Sequence, residues 1–351
     1  MKVAVLVSGG VDSSVALALL KAQGYDLTAF YLKIWLEDEL AFLGDCPWEE
    51  DLDYVQRTCA QLGVTLRVLP LQKEYHDKVV AYTIAEVRAG RTPNPDIFCN
   101  AWIKFGVFYD AIGSEFDRVA TGHYAQIAKI GDVFQLTCAP DQIKDQTYFL
   151  ARLTQNQLAK ALFPIGNYAK AEVRQLAQQF DLPAKDRKDS QGICFLGKLK
   201  FSDFIKHHLG EQVGDLIEIE TGAVIGKHHG FWFYTIGQRQ GLGLAGGPWY
   251  VVAKDIKQNQ VLISRTYFEE SKERDVFEVV NCHWISGQWP VKTDLQVKLR
   301  HGAQIYKCHL MQLGADWFEV RLDKHDQGIA AGQYAVFYDQ GVCLGAAMIF
   351  K

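Results

Sequence analysis

Residues 8–14 read SGGVDSS, a glycine-rich turn between two apolar segments. The preceding residues, KVAVLV (2–7), are β-branched and almost continuously apolar, which is typical of a strand buried on both faces. The following residues, VALALLKAQG (15–24), repeat leucine at helical spacing and end at a glycine, which indicates a helix and its C-terminus. The turn therefore joins a buried strand to a helix, where free N–H groups and the helix dipole favour an anion.

The composition of the turn narrows the kind of anion site. Gly9 and Gly10 allow a close backbone approach, and Ser8, Ser13 and Ser14 add hydroxyl donors. Neither the dinucleotide pattern GxGxxG nor the GK[ST] ending of triphosphatase loops is present. Asp12 fits a metal ligand or a helix cap, and a plain glycine turn with a serine or aspartate cap is the alternative. The string resembles the SGGxDSS loop of enzymes that split ATP between its α and β phosphates, which implies that it binds the leaving pyrophosphate.

Composition sets limits on the class of protein. A chain of 351 residues, with 48% hydrophobic and 22% charged residues, is expected to form two or three globular domains. Its eight cysteines form no CxxC pair, which argues against a zinc ribbon and a secreted disulfide framework. Strand-forming residues begin at once and no apolar stretch could span a bilayer, so we expect a cytoplasmic protein without membrane partners.

Charge is distributed unevenly along the chain, although the net charge is only −4. Residues 37–53 contain eight acidic side chains and no lysine or arginine, whereas residues 181–210 contain six basic and four acidic ones. A polyanion could dock on the second segment and avoid the first. Two solvated surface segments are the alternative.

The pattern of segments predicts an α/β protein with three domains. Strand and helix signals alternate to about residue 205, which predicts a mostly parallel sheet covered by helices. Beyond it the sequence is rich in glycine, aromatic and β-branched residues, with frequent turn signals. We expect a catalytic domain over 1–205, a central β domain over 206–275 and a C-terminal β-barrel over 276–351. Ligands of such parallel sheets collect at the carboxyl ends of the strands, where SGGVDSS would lie.

Two cysteines stand in turns that could carry chemistry. In TPNPDIFCN (92–100) the two prolines predict extended chain, and a helix starting near Asn100 would put Cys99 at its N-terminus, which lowers a thiol pKa. Asp96 precedes it by three residues, close enough to act as a base or to orient a substrate. Cys194 lies in the turn DSQGICF (189–195). Each cysteine alone could equally be a buried structural residue.

Polar residues elsewhere suggest further contacts. ATGHYA (120–125) predicts a strand end with Gly122 beside the nucleotide and His123 exposed, or a structural histidine. KDQTYFL (144–150) predicts a helix with Asp145 as its N-cap and Lys144 as a phosphate contact, or a cap alone.

Taken in order, these motifs resemble one family over essentially the whole chain. SGGVDSS, TPNPDIFCN, ATGHYA, KDQTYFL, DSQGICF, YTIGQRQGLG and PWYV occur as they do in bacterial tRNA-specific 2-thiouridylases, members of the PP-loop ATP pyrophosphatases. The resemblance implies an adenine nucleotide alpha hydrolase-like N-terminal domain. It also implies replacement of the C2 oxygen of uridine 34, the wobble base, by sulfur in glutamate, glutamine and lysine tRNAs.

The resemblance also assigns roles to residues. Cys99 would be the nucleophile, Cys194 the persulfide carrier and Asp96 the base. The expected ATP contacts are Leu6, Val7, Ser8, Gly9, Gly10, Val11, Asp12, Ser13, Leu32 and Gly122, with Asp12 also placed at magnesium (Mg2+). The expected contacts to the target base are Asn94, Pro95 and Asp96, and those to the rest of the tRNA are His123, Lys144, Asp145, Gln146, Arg300, His301 and Gln333.

The implied chemistry fits these residue types. Adenylation turns the C2 oxygen of uracil into a leaving group, and the loop would stabilise the pyrophosphate as it departs. A persulfide on Cys194, loaded by a cysteine desulfurase or a sulfur-relay protein, would supply the sulfur. Cys99 would attack either sulfur of that persulfide, and by either route the cycle would end in a Cys99–Cys194 disulfide for a reductant to open. The wobble base would have to be flipped from its stack to reach the site.

Two alternative functions remain compatible with parts of the sequence. A PP-loop synthetase that adenylates a small-molecule carboxylate would use the same loop, but leaves both cysteines and the two β domains unexplained. A non-catalytic RNA-binding protein with a relict nucleotide site would not need the intact SGGVDSS string.

Overall fold

The computed structural model describes residues 1–34, 48–189, 200–266, 274–326 and 328–350. In these residues the N-terminal part holds a parallel sheet in the order β3-β2-β1-β4-β7. The strands of this part are β1 (Lys2–Leu6), β2 (Asp26–Lys33), β3 (Thr65–Pro70), β4 (Arg118–Ala120), β5 (Ala125–Ile130), β6 (Val133–Cys138) and β7 (Ala161–Leu162).

Helices cover this sheet on both faces. They are α1 (Val11–Ala22), α2 (Trp48–Leu62), α3 (Gln72–Tyr75, His76–Val80 and Ala81–Arg88), α4 (Pro95–Phe98, Cys99–Val107 and Phe108–Ile112), α5 (Thr147–Leu150), α6 (Gln155–Leu158), α7 (Lys170–Gln179) and α8 (Phe201–Leu209). The middle segments of α3 and α4 are π-helical. In β1, Val3 and Val5 pack into one core and Ala4 into another, which explains its continuous apolar sequence.

The central β unit has its own sheet and core. Its strands are β8 (Gly214–Glu218), β9 (Val224–His228), β10 (Tyr250–Asp255) and β11 (Gln260–Ser264), in the order β10-β11-β8-β9. Strands β11 and β8 run parallel, and the other pairs are antiparallel. Leu216, Val251, Val261 and Ile263 are among the buried residues that form its core.

The C-terminal unit is a closed barrel. Six antiparallel strands follow the order β12-β15-β14-β13-β16-β17, and β12 pairs with β17 to close it. They are β12 (Arg274–Trp284), β13 (Asp294–Lys298), β14 (Tyr306–Gly314), β15 (Trp317–Asp326), β16 (Tyr334–Asp339) and β17 (Val342–Ile349). The expected fold class, a parallel-sheet domain followed by β units that end in a barrel, is confirmed. The domain boundaries at 205 and 275 stay predictions.

The barrel is joined to the N-terminal part along the strand β16. Ala335 and Phe337 point into the barrel, whereas Tyr334, Val336 and Tyr338 belong to the core shared with α4 and α5. The sequence did not predict the hairpin β5–β6, which pairs with β17 and extends the barrel sheet. Both contacts bring the barrel to the side of the parallel sheet that carries Cys99.

Candidate active site

The SGGVDSS loop connects β1 to α1 at the carboxyl end of the parallel sheet. Helix α1 begins at Val11, earlier than the leucine spacing suggested, so the loop and the first helical turn overlap. Ser13 and Ser14 donate their hydroxyls to the Gly10 carbonyl, at 3.2 and 2.9 Å. These hydroxyls shape the loop, and the N–H groups of the first turn of α1, which have no intrahelical acceptors, remain as donors for an anion.

Gly9 and Gly122 let backbones approach at this loop. Gly9 has φ +77°, and a Cβ there would lie 2.6 Å from the Asp51 carbonyl oxygen. A Cβ on Gly122 would lie 2.7 Å from the Ser13 nitrogen, so the end of β4 lies against the start of α1. The structure therefore brings Gly122 beside the loop, and its predicted contact with the nucleotide stays a prediction. The other expected ATP contacts Leu6, Val7 and Val11 are buried, and Leu32 is half-buried near the end of β2.

Asp12 lies at the centre of a charged network. Its carboxylate accepts hydrogen bonds from Lys170, at 2.8 and 3.0 Å, and from the Tyr124 hydroxyl at 2.8 Å. Burial, together with the neighbouring Asp12 charge, raises the pKa of Tyr124 well above its usual range, so this hydroxyl stays a donor. Asp12 is therefore held in one orientation by two residues that the sequence analysis missed.

Asp189 extends the network. It accepts from Lys170 at 2.8 Å, from Lys144 at 2.9 Å and from Arg174 at 2.6 Å. Burial opposes ionisation, but the hydrogen bonds from Lys170 and Lys144 outweigh it and lower the pKa of Asp189 well below its usual range. Asp189 is the last described residue before the stretch 190–199, so the predicted persulfide carrier, Cys194, lies outside the described residues.

The acidic and basic segments meet at this loop. Arg187, from the basic segment, donates to the Gly9 carbonyl at 2.9 Å and pairs with Asp51 at 2.8 Å and Glu50 at 3.6 Å, both from the acidic segment. From the sequence, these segments were expected to form separate surfaces. Their ion pairs fix the backbone of the loop instead, because a guanidinium can serve a carbonyl and a carboxylate together.

Cys99 lies in α4, but not at its start. The helix begins at Pro95, not near Asn100, because proline is well accommodated at the first helical position. Cys99 is therefore one turn inside the helix, on the same face as the half-buried Asp96. Its side chain is 1% exposed, whereas reactive cysteines are as a rule partly exposed. The expectation of a thiol at a helix N-terminus was wrong.

His123 is buried, which corrects the expectation of an exposed residue. Its Nδ1 lies 2.6 Å from the Thr121 hydroxyl, and its ring packs edge-on against Phe163. Burial, with the nearby Lys104 charge, lowers the pKa of His123 well below its usual value. The imidazole is therefore neutral, and a contact of His123 with tRNA stays a prediction.

The segment with Lys144, Asp145 and Gln146 faces inward more than predicted. Helix α5 begins at Thr147 with Gln146 at the cap position, so Asp145 is not the N-cap. The Asp145 carboxylate is 1% exposed and pairs with Lys298 of the barrel at 2.9 Å. Gln146 accepts from the Tyr124 N–H at 3.0 Å. Lys144, with 38% of its side chain exposed, and the half-buried Gln146 are more open to a large ligand than Asp145 is.

The barrel residues carried over by resemblance lie near α4 and α5. Gln333 donates to the carbonyls of Thr92 and Pro93, at 3.3 and 3.4 Å, immediately before Asn94 and Pro95. His301 stacks on Phe149, and its Nε2 lies 3.1 Å from the Asp145 carbonyl oxygen. Arg300 pairs with Asp326. The structure thus places Gln333 beside the predicted base-contacting residues, and His301 in the contact between barrel and catalytic part.

The residues that surround the loop were not predicted from the sequence. They are Asp51, Tyr124, Lys170, Arg174, Arg187 and Asp189. Lys170 opens the helix KAEVRQLAQQ, but only its position in the fold distinguishes it from other surface lysines. Among the described residues, no group of three or more histidine, cysteine, aspartate or glutamate side chains is arranged to hold a metal ion. The metal role of Asp12 stays a prediction.

Within the described ranges, no helix has the length and apolar character needed to cross a membrane.

A family model described as the tRNA methyl transferase HUP domain matches residues 1–198. Models described as the tRNA methyl transferase PRC-barrel domain and the aminomethyltransferase beta-barrel domain match residues 202–265 and 274–349.

Several curated proteins are similar over their full length. The tRNA-specific 2-thiouridylase MnmA of Parabacteroides distasonis is 46% identical, and the alignment covers 99% of both chains. That of Porphyromonas gingivalis is also 46% identical, over 100% of this chain and 99% of its own. The tRNA-specific 2-thiouridylase MnmA 1 of Bacteroides thetaiotaomicron is 44% identical over 100% of both. Identity at this level over three matched domains means that the chain belongs to the family of tRNA-specific 2-thiouridylases.

Proposed function

We propose that this protein is an ATP-dependent tRNA-uridine 2-sulfurtransferase that makes 2-thiouridine at the wobble position. The full-length identity to proteins named tRNA-specific 2-thiouridylase carries the proposal. Two of the family models are described as methyltransferase domains. Those descriptions assign no role to the loop, to Asp96 or to Cys99. We expect it to act in the cytoplasm on glutamate, glutamine and lysine tRNAs.

The family uses ATP, and the loop suits its phosphates. The N–H groups of the first turn of α1 can bind phosphate oxygens, and Gly122 lies directly against the same turn. In the proposed first step, the uracil O2 bonds to the α-phosphorus while the bond from that phosphorus to the α,β-bridging oxygen breaks. The electron pair leaves with pyrophosphate, whose charge the loop stabilises.

The target base would be held beside α4. Asn94 and Pro95 precede Asp96 at the helix start, and Gln333 of the barrel fixes the carbonyls before them. Asp96 would take the proton released during the reaction, and Cys99 lies one turn further along the same helix. Residues at a helix start, with the barrel behind them, are suited to hold a flipped base. This arrangement fits an RNA substrate better than a small carboxylate.

Sulfur transfer needs both proposed cysteines. The terminal sulfur of a Cys194 persulfide would bond to C2, and the adenylated oxygen would leave with AMP. Attack by the Cys99 thiolate on the inner sulfur then releases the thiocarbonyl and leaves a Cys99–Cys194 disulfide. The sulfane sulfur is reduced and the two thiols are oxidised, so a thiol reductant must reopen the disulfide before the next cycle. A cysteine desulfurase or a sulfur-relay protein would reload Cys194.

Magnesium fits this site through Asp12. Magnesium is commonly bound by one or two carboxylates together with substrate phosphates and waters, and Asp12 offers one carboxylate beside the phosphate loop. When bound, the ion would neutralise phosphate charge. Tyr124 orients the carboxylate that would hold it.

A direct test uses unmodified tRNA, ATP, magnesium and a persulfide donor. Mass analysis of the nucleosides should show uridine that has exchanged one oxygen for sulfur, with AMP and pyrophosphate as the nucleotide products. Formation of ADP and orthophosphate would contradict the assignment of the loop. A methylated nucleoside formed with a methyl donor would favour the methyltransferase description instead.

A further inference from the structure

The SGGVDSS loop contains no lysine, and its charged residue, Asp12, repels phosphates. The lysine of other nucleotide triphosphatase loops serves the β and γ phosphates, so the opposing charge here must come from another element. In the structure it comes from α7. Lys170, the first residue of that helix, reaches the loop and bonds both oxygens of Asp12.

We propose that Lys170 is the ligand of the β and γ phosphates of ATP, and that Asp12 and Asp189 hold it in position before the nucleotide binds. The inference rests on the use of ATP in the proposed function. It identifies a cation outside the loop motif as the group that stabilises the leaving pyrophosphate.

Burial and bonding distinguish Lys170 from the other cations nearby. Its side chain is 13% exposed, against 38% for Lys144 and 37% for Arg174. Its ammonium lies 2.8 Å from Asp12 and 2.8 Å from Asp189, so it bridges the loop and the segment that follows α7. Arg187, which also lies at the loop, is committed to the Gly9 carbonyl and to Asp51.

The backbone positions Lys170 as firmly as its side chain does. Asp141 accepts from the Lys170 N–H at 3.1 Å and from the N–H groups of Ile143 and Lys144 at 3.2 Å each. One carboxylate therefore fixes the start of α7 and the turn that carries Lys144. An ammonium held in advance loses little conformational entropy when it binds a ligand.

The exchange of partners is electrostatically reasonable. A nearly buried ammonium needs an anionic partner, and the carboxylates of Asp12 and Asp189 provide it. A polyphosphate brings several anionic oxygens, so Lys170 can turn from Asp12 to phosphate without becoming unpaired. The released Asp12 carboxylate is then available to magnesium.

The test compares ligands that do and do not contain the β and γ phosphates. Isothermal titration calorimetry would measure ATP, pyrophosphate and AMP binding to the full chain and to Lys170→Met, which keeps the apolar stem but removes the charge. We expect the affinity for ATP and pyrophosphate to fall at least about tenfold, because a charged hydrogen bond is lost, and that for AMP to change about twofold or less. Lys170→Arg should retain part of the affinity.

Lys292→Met is the matched control, because Lys292 also pairs with a carboxylate, Asp339, at 2.6 Å, but in the barrel. It should bind all three ligands as the unaltered protein does. Equal losses for ATP and AMP in Lys170→Met would mean that Lys170 only supports the fold, and unchanged ATP binding would also overturn the inference. If the unaltered protein failed to bind ATP, the proposed function itself would fail.

Discussion

The SGGVDSS loop and the Lys144–Asp145–Gln146 segment were both expected to contact a ligand, but in the structure the two regions are oriented differently. The loop presents backbone N–H groups at the start of α1, as its sequence indicates. Asp145 instead turns inward to Lys298, 153 residues away in sequence. Backbone contacts follow from a local motif, whereas the direction of a side chain depends on partners from distant elements.

The largest effects should come from the two cysteines, which the proposed function places in one reaction. Cys194→Ser should lose the protein-bound persulfide and all thiolation, because no sulfane sulfur can be carried, yet it could still adenylate tRNA. Cys99→Ser should accept sulfur on Cys194 but fail to complete the transfer. Nucleoside analysis measures thiolation, and mass analysis of the intact protein measures the persulfide.

The same pair of residues gives a positive control without substitution. After one turnover without reductant, the unaltered protein should contain a Cys99–Cys194 disulfide, visible as a linked peptide pair. Cys282→Ser is a suitable comparison, because Cys282 lies on β12 of the barrel. Near-normal thiolation by both Cys99→Ser and Cys194→Ser would show that these cysteines are not catalytic. That outcome would leave the synthetase and RNA-binding alternatives open.

Asp12→Ala should abolish the ATP-dependent formation of AMP and pyrophosphate, because it removes the only carboxylate within the SGGVDSS string. The fold should persist, since the Asp12 side chain is 31% exposed and carries little core packing. Release of pyrophosphate and the thermal midpoint of unfolding measure the two quantities. A variant that turns over ATP normally would show that Asp12 is not required for the reaction.

The sequence predicted the parts of the molecule whose signals are local. The β1–loop–α1 unit and the alternation of strands and helices follow from apolar periodicity and glycine placement, and the fold class from their order. The start of α4 was misplaced because two prolines were taken to exclude a helix, although Pro95 fits the first helical position. Lys170, Asp189 and the hairpin β5–β6 gave no local signal, since their roles depend on contacts between distant segments.

Asp145→Ala tests whether Asp145 contacts RNA or serves in an interior ion pair. Because the variant leaves Lys298 buried without its carboxylate, the free energy of unfolding should fall by about 3–5 kcal/mol. The double change Asp145→Asn with Lys298→Met should recover much of that loss. Urea denaturation measures both. An Asp145→Ala protein of unchanged stability but weakened tRNA binding would support the prediction that Asp145 is an RNA contact.

Lys144→Ala, at the neighbouring residue, should affect tRNA binding more than stability, the reverse of what we expect for Asp145→Ala. Its ion pair with Asp189 is partly exposed, so the free energy of unfolding should change by less than about 1 kcal/mol. If Lys144 and the basic segment 181–210 bind phosphates, tRNA affinity should fall steeply with salt. The slope of log affinity against log salt should decrease by about one for this variant. Binding indifferent to salt in the unaltered protein would contradict the docking of tRNA on these residues.

The smallest effect concerns the pH dependence of stability at His123. Burial lowers the pKa of the folded-state imidazole well below its ordinary value of about 6.5, so only the unfolded chain takes up this proton as the pH falls through that value. His123 should therefore reduce stability below about pH 6.5, by at most about 1.4 kcal/mol per pH unit. His123→Asn should remove that part of the slope in urea denaturation measured across this range, even if its overall stability is lower because the contact with Thr121 changes. NMR of the ring protons gives an independent measurement, in which His123 should not titrate near pH 6.5. A His123 resonance that titrates with an ordinary pKa would mean that the ring is accessible to solvent, and would support the tRNA contact predicted for this residue.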